Sequence, residues 1–350
     1  MEARMDILCH GRRAAARLAA FAVLALSACG GQFPQSTLDP ASGFSSDLAD
    51  LYGTIFWWAL AVFVVVETLL VYAVLRFRAR PGQEGEARHV HGHTVLEIAW
   101  TLAPAVILVF IAVPTIQTIF KVDGRAEEGA LQIEVIGHQW WWEFKYPDFG
   151  IVTANELHLP VGQPVALTVT SADVIHSFWL PRLGGKRDAI QGRNTRLALT
   201  PDSVGEYMGQ CAEFCGSSHA NMRARAFVET QDDFDAWVAR QLTSPPPVDS
   251  LEGLVQRGAQ VFTSIREPPN HSCIVCHAIA GMAYGAIGPN LTHVGSRTTI
   301  AGGILPNTPE GLRRWLHNPP AVKPGEIEGR SMPDIDLTEE EIDALIAFLQ

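Results

Sequence analysis

Charge is scarce in this chain: only 18% of its 350 residues are Asp, Glu, Lys or Arg. What charge there is sums to -11 at neutral pH, so the chain lacks the positive excess that binding a nucleic acid would need. An acidic surface suits a basic redox partner, although scattered carboxylates also serve solubility alone. Cysteine is scarce too, and its six residues fall in three places. Cys9 and Cys29 lie near the N-terminus, Cys211 and Cys215 on one short stretch, and Cys273 and Cys276 in the C-terminal third. Each place has its own use for thiols, which leaves none over for a separate structural disulfide. No second Cys pair follows Cys276, and this argues against zinc ligation there.

Apolar residues are concentrated in the N-terminal third. Residues 1–28 carry Arg12, Arg13 and Arg17, then a run from Leu18 to Leu26 that is too short to span a bilayer. The pattern is that of a secretory signal. It ends in Leu-Ser-Ala before Cys29, which resembles a bacterial lipoprotein box and makes Cys29 a candidate for lipidation; an ordinary signal peptide with an incidental Cys is the alternative. Residues 29–50 form a linker on the periplasmic side. Residues 51–77 and 95–120 are each apolar and long enough to cross the membrane. Arg76, Arg78, Arg80 and Arg88 mark the 78–94 loop as cytoplasmic. A two-pass hairpin in a bacterial inner membrane follows, with both ends outside. Pro104 and Pro114 are tolerable in the second span. Glu67 inside the first span calls for a partner helix.

From Leu131 the hydrophobic period changes to that of strands. Segments 131–137, 165–171, 195–200 and 223–230 are short and separated by Gly and Pro turns, which suggests an all-β sandwich or barrel over residues 121–242. Early in it stands Gly-His-Gln-Trp-Trp-Trp-Glu-Phe. Neighbours on a strand alternate faces, so at least one of Trp140, Trp141 and Trp142 is expected at the surface or an interface. A membrane-interface belt is the expectation for Trp141 and Trp142.

A proline-rich linker, residues 243–250, leads to a second soluble domain over 251–350. There an amphipathic helix (251–262) precedes Cys273-Ile-Val-Cys276-His277, the attachment motif for a covalent haem c with His277 as iron ligand. Met332, in Arg-Ser-Met-Pro-Asp, is the expected sixth ligand. Met282 is too close in sequence to reach the opposite face, and His293 and His317 are weaker candidates. Thr338–Phe348 should close the domain as a helix with a Thr338–Glu341 capping box. Met332 and the run Gly288-Pro289-Asn290-Leu291 resemble the ligand contexts of small class I cytochromes c.

The densest chemistry is Cys211-Ala-Glu-Phe-Cys215-Gly-Ser-Ser-His219-Ala-Asn-Met222. Two thiols, an imidazole and a thioether form a soft ligand set that favours copper. A one-copper electron-transfer site needs one Cys, two His and a weak Met, so this loop has a Cys too many and a His too few. His176, in Val-Ile-His-Ser-Phe, is the candidate for the second His, and the extra thiol points to two bridged metal ions. A disulfide between Cys211 and Cys215 is the other reading of the two thiols.

This loop resembles the CuA loop of cytochrome c oxidase subunit II, without departure in spacing. The resemblance implies a cupredoxin-like fold and a binuclear copper CuA held by Cys211, Cys215, His176, His219, Met222 and the carbonyl of Glu213. It further implies that the Glu213 side chain holds a Mg or Mn ion shared with subunit I, and that Trp140 is the electron entry point. Leu-Glu97-Ile-Ala-Trp-Thr resembles the motif whose Glu opens a proton pathway into subunit I. With the haem motif, the chain resembles subunit II of a caa-type oxidase with a fused, all-α cytochrome c domain. Electrons would pass from a donor such as a cytochrome c or an upstream respiratory complex, through haem and copper, to subunit I; subunit III is a further expected partner. A subunit of a copper-containing nitric oxide reductase and a periplasmic copper-delivery protein are the rival readings. Quinol oxidase subunit II lacks the two Cys and is excluded.

Overall fold

Two apolar helices, a β-sandwich and a small helical domain follow one another along the chain. The computed structural model describes residues 33–78, 91–325 and 331–350. The segment 1–28 expected to be a signal peptide, Cys29, Arg80 and Arg88 lie outside the described residues. Helix α1 (Gly43–Phe77) and helix α2 (Thr94–Lys121) are both long and apolar enough to cross a membrane. Trp58 stacks on Phe110 between them, with ring centroids 5.6 Å apart. No residue of α2 is buried and only Phe44 and Ser45 of α1 are, as expected of walls that face lipid.

Helix α1 starts earlier than hydropathy suggests, at Gly43 rather than 51. At 35 residues it is about 50 Å long, against ~30 Å for the bilayer core, so its first turns project from the membrane. Polar Ser45, Ser46, Asp47 and Asp50 hide this start from a hydropathy scan. What fixes it is Ser42, whose hydroxyl accepts the Ser45 N–H at 3.1 Å and donates to the Leu183 carbonyl at 2.6 Å. Phe44 packs into the sandwich core, and Lys121 at the end of α2 pairs with Asp47 at 2.5 Å. The hairpin is thereby tied to the domain it carries.

The sandwich has two five-stranded sheets. One runs β3-β2-β1-β5-β8 and the other β4-β10-β9-β6-β7, where β1 is Leu131–His138, β2 Trp141–Tyr146, β3 Ile151–Ala154, β4 Glu156–Pro160, β5 Val165–Ser171, β6 His176–Trp179, β7 Arg187–Ala189, β8 Thr195–Leu199, β9 Gly205–Cys211 and β10 Arg223–Glu229. Pairs β1/β5 and β4/β10 are parallel and the rest antiparallel, the mixed pairing of a cupredoxin-like fold. Alternation places Ile133, Val135, Trp142, Phe144, Val169 and Phe178 inside. Burying each such Phe stabilises by roughly 1.5–3 kcal/mol over exposure.

All three tryptophans are buried, and the interface expected for at least one of them is with the C-terminal domain instead of the membrane: Trp140 is 2% exposed, Trp141 9% and Trp142 0%. Trp140 sits in the turn between β1 and β2, so strand alternation does not govern it. Trp142 points into the sandwich. Trp141 takes the opposite face, where it stacks on His138 at 4.2 Å and lines a cavity of the C-terminal domain. A neighbouring domain, not lipid, covers it.

The C-terminal domain packs α4 (Gly253–Thr263) against α8 (Glu339–Leu349), with α6 (Pro309–His317) beside them. Helix α3 (Gln231–Leu242) belongs to the sandwich through buried Phe234 and Trp237. Short helices α5 (Cys273–Cys276) and α7 (Pro319–Val322) complete the set. The capping box forms as the sequence indicates, with Thr338 and Glu341 each bonding the other's backbone N–H. Two ribbons of two residues per strand interrupt the otherwise helical domain.

Candidate metal centre

Cys211 ends β9, His176 opens β6, and the loop 212–222 folds back over them. Both thiols are free and buried, with Sγ atoms 3.8 Å apart. Each has an imidazole Nδ1 beside it: His176 at 3.9 Å from Cys211, and His219 at 3.6 Å from Cys215. Met222 Sδ lies 3.9 Å from Cys215, and the Glu213 carbonyl 3.2 Å from Cys211. The side chains of Cys211, Cys215 and His176 present donor atoms all within 4.8 Å of one another. All six groups named from sequence therefore converge. Two soft sulfurs flanked by two imidazoles and two weak donors fit a pair of copper ions. Glu213 itself is exposed, with its side chain available on the outer side of the loop.

The thiols titrate as a pair. The hydrogen bond between them pulls Cys211 down to about 3 and pushes Cys215 up, so the pair gives up one proton readily and the second reluctantly. Burial pushes His176 down, but hydrogen bonds with Asp173 and Cys211 outweigh it and hold the imidazole above its ordinary value.

Two supporting residues were not evident from sequence. Asp173 Oδ1 lies 2.8 Å from His176 Nε2, which orients the ring so that Nδ1 faces the thiols. The Asp173 carboxyl is pushed up by burial, yet held below its ordinary value by hydrogen bonds from His176 and from the Gln139 and Val174 N–H groups. Gln139 is the second: its backbone N–H reaches Asp173 at 2.7 Å and its Nε2 reaches the Cys215 carbonyl at 2.7 Å. Asp173 stands three residues before His176, a spacing that could have signalled it. Gln139 adjoins the Trp motif but has no chemistry of its own to mark it. Gly137 gives the His176 ring room, since a Cβ there would stand 2.7 Å from Cδ2.

Trp140 joins this cluster to the C-terminal domain. Its indole N–H donates to the Cys215 carbonyl at 3.0 Å. A Cβ on Gly216 of the 212–222 loop would meet its ring at 3.0 Å, and one on Gly325 of the C-terminal domain at 2.9 Å. The ring thus touches both domains.

Beyond Trp140 opens a cavity of about 570 Å³, lined by Cys273, Cys276, His277 and Met332 together with Trp140 and Trp141. That volume is within the usual range for cofactor pockets. Met282, His293 and His317 are not among its lining residues. His277 Nδ1 donates to the Pro289 carbonyl at 2.9 Å, so Nε2 is the nitrogen left for a metal. Burial also pushes its pKa down, which keeps the ring neutral as a ligand must be. A Cβ on Gly288 would stand 2.6 Å from the ring. Arg297 also lines the cavity, and among the described residues its Nε finds no hydrogen-bond partner. An apolar slot with two thiols, an imidazole, a thioether and a guanidinium with one N–H still to be satisfied fits a haem with its carboxylates.

Glu97 stands in the first turn of α2, as its fourth residue, far in sequence from either cluster. Its carbonyl accepts the Thr101 hydroxyl at 2.8 Å, an ordinary helix contact.

Three family descriptions match successive parts of the chain: "Cytochrome C oxidase subunit II, transmembrane domain" over residues 32–118, "Cytochrome C oxidase subunit II, periplasmic domain" over 151–226, and "Cytochrome c" over 255–350. Cytochrome c oxidase subunit 2 of Alkalihalophilus pseudofirmus is 36% identical over 337 residues, covering 94% of this chain and 94% of the relative. That of Bacillus subtilis is 33% identical over 352 residues, covering 95% and 96%. A crystal structure of the periplasmic domain of subunit II of cytochrome oxidase from Bradyrhizobium japonicum is 33% identical, covers 34% of this chain and 96% of that one, and has a TM-score of 0.32.

Proposed function

The chain belongs to the cytochrome c oxidase subunit II family, and from that premise we propose that it carries electrons from an outside donor to subunit I, where dioxygen is reduced to water with proton pumping. When bound, a haem c and a binuclear copper centre supply one-electron couples whose ligands need not change with redox state. Cys211, Cys215, His176 and His219 would hold the two coppers, with Met222 and the Glu213 carbonyl as weaker donors. Asp173 fixes the tautomer and direction of His176. The Glu213 side chain, exposed beside the site, holds a Mg or Mn ion at the boundary with subunit I. Cys273 and Cys276 would attach the haem c covalently, and His277 and Met332 would hold its iron within the apolar slot that they line. Trp140 is the electron entry to the copper.

The observation that carries this reading is the position of Trp140, whose ring touches the copper loop at Gly216 and the C-terminal domain at Gly325. The domains run from 121 to 242 for copper and from 251 to 350 for haem. Glu97 gathers protons for a pathway in subunit I. The remaining proposals are a signal peptide over 1–28, lipidation at Cys29, residence in a bacterial inner membrane with both domains outside, subunit III as a further partner, and a cytochrome c or an upstream complex as donor.

Dioxygen uptake by the purified complex, driven in parallel by reduced cytochrome c and by quinol, tests the reading. Uptake with cytochrome c is the expected result. Consumption of nitric oxide with no dioxygen uptake would give the chain to the reductase reading instead.

A further inference from the structure

Two buried charged side chains cross between the sandwich and the C-terminal domain, and the electron path uses neither. Glu156, on edge strand β4, is 2% exposed. Among the described residues, its carboxylate accepts hydrogen bonds from the C-terminal domain alone: Thr298 N–H at 2.9 and 3.1 Å, the Thr298 hydroxyl at 2.7 Å, the Thr299 N–H at 2.8 Å and the Thr299 hydroxyl at 2.9 Å. Lys323 makes the reverse crossing. It is 8% exposed, and its amine donates to the backbone carbonyl of Trp140 and, at 3.3 Å, to that of Ala301. Between them the Arg223 N–H of β10 donates to the Gly302 carbonyl at 3.0 Å, and the Ser218 hydroxyl of the copper loop donates to the Pro324 carbonyl.

Adhesion alone would not need these groups. A buried carboxylate or amine costs more to desolvate than an apolar side chain of similar size, so its use in an interface points to specification of one arrangement. Both contacts are directional and both bear on one spot. Lys323 grips the backbone of Trp140, and Gly325, two residues on, touches the Trp140 ring. Gly302, at φ +77°, leaves room for the amine, since a Cβ there would strike the Lys323 Nζ and the Trp140 carbonyl. Domains joined by a short linker are mobile by default unless their interface holds them.

Resting on the relay reading above, we propose that Glu156 and Lys323 are positioning residues that lock the haem domain onto the copper loop, so that electrons cross from one fixed pose rather than from a swinging domain. Glu156 sets the far anchor and Lys323 sets the distance at Trp140. Neither residue touches a metal ligand's side chain or takes part in ligation.

The test uses the assembled oxidase with full-length chain, as wild type, Glu156→Gln and Lys323→Met. Amide hydrogen exchange is read away from each substitution: at Thr298 and Thr299, which hold Glu156, and at Arg223 for Lys323→Met, and at Arg223, whose N–H crosses the seam to Gly302, for Glu156→Gln. Flash injection of one electron into the haem then gives the rate of transfer to copper. The expected result is faster exchange at the remote amides and transfer slowed by about tenfold or more, with the haem midpoint and the near-infrared copper band as in wild type. Wild-type exchange at the remote amides, or unchanged transfer, would overturn the lock. Thr298→Ala removes one of the hydroxyls that bond Glu156 and gives the same reading if Glu156→Gln does not assemble. A wild-type complex in which no electron reaches copper would instead overturn the relay, while the exchange result still decides on the lock.

Discussion

The two thiols at 3.8 Å are close enough to share metal ions and too far apart to be bonded to each other. Cys215→Ser should therefore abolish the two-copper spectrum and cut copper content, measured by near-infrared absorbance and metal analysis; survival of both would remove the bridging assignment. The ligand residues were legible in the sequence because softness and spacing are local properties. Asp173, Gln139 and Lys323 were not, since each acts through a contact that only the fold creates. Lys323 yields a prediction of its own. Burial pushes its amine down to about 7, against an ordinary 10.5, with the electrostatic influence of Cys215 opposing the fall. Between those values the unfolded chain binds the extra proton, so in copper-free protein stability should rise with pH from about 7 to 10.5, by at most ~1.4 kcal/mol per pH unit. Below 7 and above 10.5 the contribution should be flat. Thermal unfolding of copper-free wild type and Lys323→Met across that window checks the slope, which the variant should lose.

Among the elements, the sequence marked strands β1, β5, β8 and β10 to within about a residue at each end, because each alternates cleanly. The short strands β3, β6 and β7 carry too few residues to show a period, and β2 was masked by its run of aromatics. The Trp run misled for a physical reason: alternation starts only at Trp141, after a turn, and the C-terminal domain covers the outer face. Helix α1 was placed late because its first turns are polar and dock on protein. Glu97 belongs at this scale, since its position in the first turn of α2 follows from where that helix starts. Glu97→Gln should slow steady-state dioxygen uptake severalfold in the assembled complex and leave haem-to-copper transfer at the wild-type rate. Equal uptake across roughly pH 6 to 9 would make Glu97 an interfacial carboxylate only. In the C-terminal domain, Gly288→Ala would press a methyl group onto the His277 ring, where a Cβ would stand at 2.6 Å. The haem spectrum of that variant should show weakened His ligation, whereas an unaltered spectrum would mean the ring has room to move.

The whole molecule is a membrane hairpin that carries two redox-type domains, and the contact between those domains is what no local pattern announced. A proline-rich linker suggested separate bodies; buried polar crossings at Glu156 and Lys323 join them, with Trp140 in the seam. That arrangement gives the central claim its most direct measurement. One electron is injected by flash photolysis into the haem of the assembled wild-type oxidase, and haem and near-infrared copper absorbance are followed together. The account predicts that the haem is reoxidised at the same rate as the copper band bleaches. Haem reoxidation with no change in the copper band would contradict it.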